Sequence, residues 1–415
     1  MAIESKSDIK TPFYYIKRRL FKNKLALIGL VVILLAHLVV LLGYLIIPDK
    51  TPNCNDSAWQ IKKKTPGFEV YMLKVKKSIE VEEVGFLESM YLGQEHNYII
   101  TPIESFDING LKLTVHLEGH SEKTDEYNLV DLVYGLSKNI TNKITPDSSS
   151  NAVLNAGQVK FLNTKGEIQS VAYDKLVSDF KENNLDKRKY YLGTDIAGRD
   201  MLSRLLFGTR ISLGIGFVSV LISLTLGVLL GAAAGFFGGK VDSFIMWLMT
   251  VVWSIPGIML VIAISLALGK GIWVAFVAVG LTTWVEIARV IRGQLLSVKE
   301  KLFIEAARAL GLNNLRIILV HIMPNIMGPL IVIATSNFAS AILTEAGLSF
   351  LGLGVQAPMP SWGIMINEGY HSMGAANSWH LIFFPSFCIC ITVLAFNLFG
   401  NGLRDAYDPQ SGKKW

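Results

Sequence analysis

The sequence predicts an all-α polytopic membrane protein with six transmembrane helices, carrying a β-rich or α+β extracytoplasmic insert between the first helix and the second. Three observations carry this reading. Of 415 residues, 51% are hydrophobic and only 17% charged, too little polar surface to cover a soluble core of that size. Long uncharged apolar runs recur, each close to the ~20 residues that a helix needs to cross a hydrocarbon layer ~30 Å thick. Residues 48–190 are the only sizeable stretch with the polarity of a water-soluble domain.

The six spans are expected near 25–47, 209–235, 242–268, 271–291, 325–343 and 380–399. Lys17, Arg18, Arg19, Lys22 and Lys24 precede the first run, and such a cluster beside an apolar helix holds that end in the cytoplasm rather than binding nucleic acid. The run itself is too long for a signal-peptide core, and no small-x-small cleavage site follows it, so it reads as an uncleaved anchor. Six spans return the C-terminus to the cytoplasm. The 289–316 loop then lies inside with Arg289, Arg292, Lys299, Lys301, Arg308 and Arg316, as does the tail with Arg404, Lys413 and Lys414. Arg199, Arg204 and Arg210 oppose that bias from the outside, and long outside segments cross largely regardless of charge.

Within the insert, Asn109-Gly110 precedes alternating Leu111, Leu113, Val115 and Leu117, a hairpin signal. A second hairpin pairs Val159–Leu162 with Ile168–Val171 across 163–166. Lys62–Lys64, Lys74, Lys76, Lys77 and Ser148–Ser150 read as solvated loops or linkers. In the second span, Gly227, Gly231 and Gly235 share one helix face, which suits close helix packing more than a dedicated dimer seam. Pro256 is expected to kink the third span. His37 stands alone in the first span and is expected to face other helices, and Glu286 is placed to pair with Arg289 near the inner end of the fourth.

Residues 297–325 are too polar for lipid and too apolar for a simple loop. Phe303, Ala306, Ala307 and Leu310 recur at i, i+3, i+4 and i+7 as one apolar stripe. Gly311 follows where a helix commonly ends in a left-handed residue. A second short helix is expected from Asn314 through Ile322, ahead of Pro324 and Asn325. The alternative is an amphipathic helix lying on the membrane.

Glu305-Ala306-Ala307, Gly311 three residues after Arg308, and Pro324-Asn325 resemble the EAA loop of importer permeases in the ABC superfamily. Tyr191 to Asp195, with Gly193, Thr194 and Asp195, then Gly198, Arg199, Asp200, Ser203 and Arg204, are similar to the segment before the second span in C-type subunits of oligopeptide, dipeptide and nickel permeases. Glu345, Ser349, Gly352, Gly354, Trp362 and Gly363 match the same subunits after the fifth span, and Gly402 to Ala406 with Asp408-Pro409 match the tail. The resemblance covers 191–409, and the first fifty residues more loosely. It implies a type I ABC importer permease fold in a bacterial inner membrane, with both termini cytoplasmic. It also implies a paralogous permease subunit, two ATPase subunits that bind ATP and Mg, and an extracytoplasmic solute-binding protein. The expected division is 1–47, the insert at 48–190, the permease domain at 191–409 and a cytoplasmic tail at 410–415. Family members have a much shorter segment where the insert stands, so nothing carries over to it.

The sequence contains no phosphate-cradling Gly-x-x-x-x-Gly-Lys-Ser/Thr, because Gly269-Lys270 lacks the earlier glycine and the hydroxyl residue. No cofactor, metal or catalytic site is therefore expected in this chain; His116 and His120 bracket a strand end, and the three cysteines lack ligand or disulfide spacing. Acidic residues are scarce in the spans, Glu345 lying at the outer end of the fifth. That scarcity disfavours a proton-coupled carrier. A nickel or other solute permease of the same family, and an envelope sensor or structural protein, are the remaining readings.

Overall fold

The computed structural model describes residues 12–77, 81–82, 84–136, 151–163, 165–374 and 378–407. The serine run at 148–150, Asp408-Pro409 and the tail at 410–415 lie outside the described residues. The chain forms two compact units, one of residues 1–42, 205–367 and 382–415, the other of 43–204 and 368–381. The second takes in the 191–204 motif and residues 368–381, which the sequence reading grouped with the spans.

Helix α1 (Pro12–Lys22) leads into α2 (Lys24–Leu42). α2 is apolar on every side, as suits a helix surrounded by lipid. Its small residues face protein: a Cβ on Gly29 would lie 2.5 Å from the Ala395 carbonyl, and one on Gly402 would lie 2.2 Å from Ala26 Cβ. His37 is exposed rather than turned toward other helices. Its Nδ1 lies 2.8 Å from the Ile33 carbonyl, so its own helix supplies the polar contact that a neighbour was expected to give.

The second unit holds β1 (Phe68–Lys76), α3 (Phe86–Leu92), β2 (Tyr98–Asn109), β3 (Lys112–Leu117), β4 (His120–Asn128), α4 (Leu129–Val133), β5 (Ala152–Asn155), β6 (Gln158–Leu162), β7 (Ile168–Ala172), α5 (Tyr173–Asp179) and β8 (Leu185–Tyr190). One antiparallel sheet runs β4-β3-β2-β1-β8 and a second runs β5-β6-β7. The β2–β3 hairpin turns at Gly110 with φ +60, pairing Asn109 with Lys112. Leu113 and Val115 then point into the core beside Leu73, Ile103, Phe161 and Phe180. The second hairpin pairs Val159 with Val171 and Leu162 with Ile168, and its turn closes through the Gly166 N–H to the Asn163 carbonyl at 2.9 Å. Lys74 and Lys76 are not loop residues. They lie in β1, whose alternating Val70 and Met72 are buried while the lysines are not.

The remaining helices are α6 (Met201–Phe237), α7 (Gly239–Trp253), α8 (Gly257–Leu268), α9 (Ile272–Lys299), α10 (Leu302–Ala309), α11 (Asn314–Arg316), α12 (Met323–Phe350), α13 (Trp362–Tyr370) and α14 (Trp379–Tyr407). α6 lies against α9 through its glycine face. Cβ atoms on Gly227, Gly231 and Gly235 would meet Ile287 at 2.6 Å, the Ala288 carbonyl at 2.5 Å and the Arg292 carbonyl at 3.0 Å. Those glycines thus serve packing within the chain.

Pro256 does more than kink the third span: α7 and α8 are separate helices bent by 89°. Proline lacks the N–H that would carry the ladder across 254–256. Among the described residues, five helices are long and apolar enough to cross a membrane, or six if α7 and α8 together make one span.

Candidate functional site

The elbow at 297–325 is built from three consecutive pieces. α9 runs to Lys299, whose ammonium donates to the Phe236 carbonyl at 2.7 Å and ties the end of α9 to the end of α6. α10 follows and stops at Gly311, which adopts φ +73. The Gly311 N–H reaches the Arg308 carbonyl and the Leu312 N–H the Ala307 carbonyl, satisfying the last turn as left-handed caps do. The second helix is not short. α11, a π turn at Ile317–Ile322 and α12 join into one helix from Asn314 to Phe350. Pro324 follows directly on that π turn, where it withdraws one N–H from the ladder, and Asn325 donates to the His321 carbonyl at 2.7 Å.

The buried face of α10 differs from the expected stripe. Ile304 and Ala307 are inside, packed with Ile291, Leu295, Ile317 and Ile322. Phe303 is 44% exposed and Leu310 80% exposed, and Ala306 is exposed as well. A helix of eight residues resting on one side needs only the i, i+3 pair to seat it, which leaves the rest of the stripe outward. Leu302, Leu315, Leu319 and Val320 are also exposed, so an apolar patch runs along both arms of the elbow. Glu305 is exposed on α10 and makes no ion pair among the described residues. Arg308 lies over the Phe236 ring at 5.7 Å. Arg289 stacks on Trp253 at 3.5 Å instead of pairing with Glu286, since the flat guanidinium gains more from a ring face than from an exposed carboxylate.

The motif before α6 folds into a closed clasp. Gly193 and Gly198 have φ +78 and +77, and a side chain at Gly198 would lie 1.8 Å from the Ala58 carbonyl. Thr194 accepts from the Lys64 N–H at 2.9 Å and donates to the Ile61 carbonyl. Asp195 accepts from the Ala197 and Arg199 amides and from Arg199 Nε at 2.6 Å, and pairs with Arg204. Glu368 completes the set, 2.6 Å from Arg204 and 3.2 Å from Arg199. Asp200 caps the start of α6 through the Ser203 N–H. Two of the three arginines that opposed the charge bias, Arg199 and Arg204, are therefore neutralised by Asp195 and Glu368. Sequence reasoning missed Glu368; a lone acid six residues after Trp362 carries no local signal.

The motif that begins in the last turns of α12 closes just as tightly. Glu345 is fully buried, accepting from Ser349 Oγ at 2.7 Å, and Ser349 Oγ in turn accepts from the Val355 N–H. Gly352 turns the chain at φ +74. Side chains at Gly354 and Gly363 would collide with Ser349 Oγ at 2.3 Å and the Ala346 backbone at 2.7 Å. Trp362 is buried and donates its indole N–H to the Leu205 carbonyl at 3.2 Å.

Asp49, Asp56 and His96 bring three potential metal-ligand atoms within 4.8 Å of one another, a grouping that sequence spacing hid. The carboxylates are already engaged. Asp49 accepts from the Thr51 amide and hydroxyl, and Asp56 from Arg188 at 3.0 Å. Burial raises the Asp49 carboxyl and lowers the His96 imidazole from their ordinary ranges. Burial likewise pushes the Cys54 thiol upward, away from the reactive thiolate.

Comparison with known proteins follows the same lines. Residues 227–413 match the binding-protein-dependent transport system inner membrane component family, and residues 11–61 match the N-terminal TM domain of oligopeptide transport permease C. The chain is 42% identical over 221 residues to the dipeptide transport system permease protein DppC of Bacillus subtilis, covering 53% of this chain and 69% of that protein. It is 43% identical to the oligopeptide transport system permease protein OppC of Haemophilus influenzae, covering 53% and 70%. It is 44% identical to the glutathione transport system permease protein GsiD of Pectobacterium atrosepticum, covering 53% and 73%. Among solved structures, an inward-facing MetNI methionine ABC transporter matches with 20% identity and a TM-score of 0.42, over 50% of this chain and 98% of that one. The chain belongs to the binding-protein-dependent transport system inner membrane components, as a permease subunit of the oligopeptide and dipeptide C type.

Proposed function

We propose that this chain is one membrane-spanning subunit of an ATP-driven importer that carries peptides, or solutes of similar size, across the bacterial inner membrane. Relatives named for dipeptide, oligopeptide and glutathione transport support that substrate class. The driving force comes from two separate ATPase subunits that hold ATP and Mg, because this sequence has no phosphate cradle of its own. A paralogous permease completes the pathway and an extracytoplasmic binding protein delivers the solute. Both termini and the elbow lie in the cytoplasm, six spans cross the bilayer counting α7 and α8 as one, and the 43–204 unit lies outside.

The observation that carries this reading is the outward face of the elbow. Leu302 is 82% exposed and Leu310 80% exposed, with exposed Glu305 between them, on a helix seated by Ile304 and Ala307. An apolar patch on a rigid arm suits a groove on another protein. Beyond Gly311 the elbow's second arm, from Asn314, continues without a break into α12, so a push on α10 is passed through that turn to a membrane-crossing helix. Alternating access follows: the ATPases close on ATP, the elbow moves with them, and the spans reopen outward.

Glu305→Lys tests it in the reconstituted complex. Glu305 is exposed, so the chain still inserts, while uptake of a labelled peptide falls to background and ATP hydrolysis no longer responds to substrate. Uptake at the unaltered rate would sink the proposal.

A further inference from the structure

Helix α3 presents its large side chains outward. Phe86 is 69% exposed, Leu87 72%, Leu92 61% and Tyr91 43%, while Ser89 and Met90 turn inward. Four large apolar residues on seven positions form a patch that soluble surfaces seldom carry. The helix is pinned in place. The Met90 carbonyl lies 2.5 Å from where a Cβ on Gly43 would stand. Gly93 packs on the Lys50 carbonyl and the Tyr44 ring, and the Gln94 N–H donates to Lys50 at 2.8 Å. Tyr44 Oη accepts from the Asn53 N–H at 2.7 Å, closing the loop beneath.

Gly43 is the residue that follows α2, whose 19 residues run from Lys24 to Leu42. At 1.5 Å per residue that helix is about 28 Å long, close to the hydrocarbon thickness, so its last residues emerge at the far boundary of the bilayer. Leu45 and Ile46, which follow Gly43 in the same unit as α3, are exposed as well.

We infer that α3 is an interfacial helix lying on the outer leaflet where α2 emerges, with Phe86, Leu87 and Leu92 in the boundary between headgroups and acyl chains. Tyr91 sits at headgroup depth, where amphipathic rings are favoured. Glu88 is exposed between Tyr91 and Leu92 on the same arc, and a carboxylate there limits the helix to a shallow position. α3 carries no lysine or arginine, so apolar burial holds it and anionic headgroups add nothing. The inference rests on α2 crossing the bilayer.

The test is a nitroxide on Leu87→Cys in the full chain with Cys54→Ala, Cys388→Ser and Cys390→Ser, reconstituted in phosphatidylcholine vesicles. Labels at Leu35→Cys in α2 and Lys112→Cys on exposed β3 give the lipid and water references. At position 87, oxygen accessibility exceeds that of a water-soluble nickel chelate, intermediate between the references and unchanged when anionic lipid is added. A label at 87 that matches position 112 overturns the inference, as does one shielded from both reagents, which would mean a protein covers the face. If position 35 also reads as water, the failure lies in the spanning assignment of α2.

Discussion

The clasp around Asp195 and the elbow around Glu305 are both motif segments beside long helices, yet they treat their polar and apolar groups in opposite ways. In the clasp, Arg204 is 1% exposed and its charge is met by Asp195 and Glu368. In the elbow, Leu302 and Leu310 are in the open and Glu305 has no ionic partner among the described residues. A buried charge network that is satisfied internally asks nothing of another molecule. An exposed apolar arm with a free carboxylate does. On the proposed function the clasp is a structural brace and the elbow a docking surface, although both read in sequence as family motifs of equal weight.

Substitutions sharpen the contrast. Arg204→Met should have the largest effect on folding, because it leaves Asp195 and Glu368 buried with one guanidinium between them. Losing one member of a buried ionic set costs about 3–5 kcal/mol. The melting temperature of the purified chain in detergent should fall steeply, and an unchanged value would show that the clasp braces nothing. Gly231→Val comes next. Its Cβ would lie 2.5 Å from the Ala288 carbonyl, which belongs to backbone and cannot step aside, so overpacking should cost about 1–3 kcal/mol. The same assay reports it, and a neutral result would mean α6 and α9 are further apart.

Acidification should act more weakly, through His96. Its imidazole is lowered from 6.5 by burial, so the unfolded chain takes the proton more readily. The stability it contributes is present above 6.5 and is lost as pH falls through its lower folded value. Asp49 works in the other sense: burial raises its carboxyl from 3.8, so the folded form gains stability as pH falls through that raised value. A melting temperature that declines from neutral pH to roughly pH 5, less so in His96→Gln, would bear this out. Smallest of all on stability is Leu310→Ser, within about 0.5 kcal/mol at so exposed a position. Its effect belongs to function: co-purification with an ATPase subunit should drop while the melting temperature holds. Equal retention of the ATPase would erase the distinction between brace and docking arm.

Local signals were easy to read wherever neighbours in sequence are neighbours in space. The Asn109-Gly110 turn, the hairpin across 163–166, the left-handed Gly311 and the glycine ladder of α6 all express short-range sterics. The stripe on α10 was harder, because four apolar positions share a face and only the packing of Ile304 and Ala307 decides which edge is covered. The partner of Arg199 and Arg204 was harder still. Glu368 lies 164 positions beyond Arg204, and no periodicity links them.

By itself the sequence determined that the chain lives in a bilayer, where its long apolar helices lie, and that Glu305 and Gly311 shape an elbow between two of them. Hydrophobic run length and backbone sterics act locally, so they survive without knowledge of the fold. The tertiary structure alone decided that α7 and α8 are separate helices meeting at 89°, that the elbow's second arm is continuous with α12, and that two buried arginines are held by Asp195 and Glu368. Charge satisfaction and packing depend on which distant segments meet, and that is settled only when the whole chain has folded.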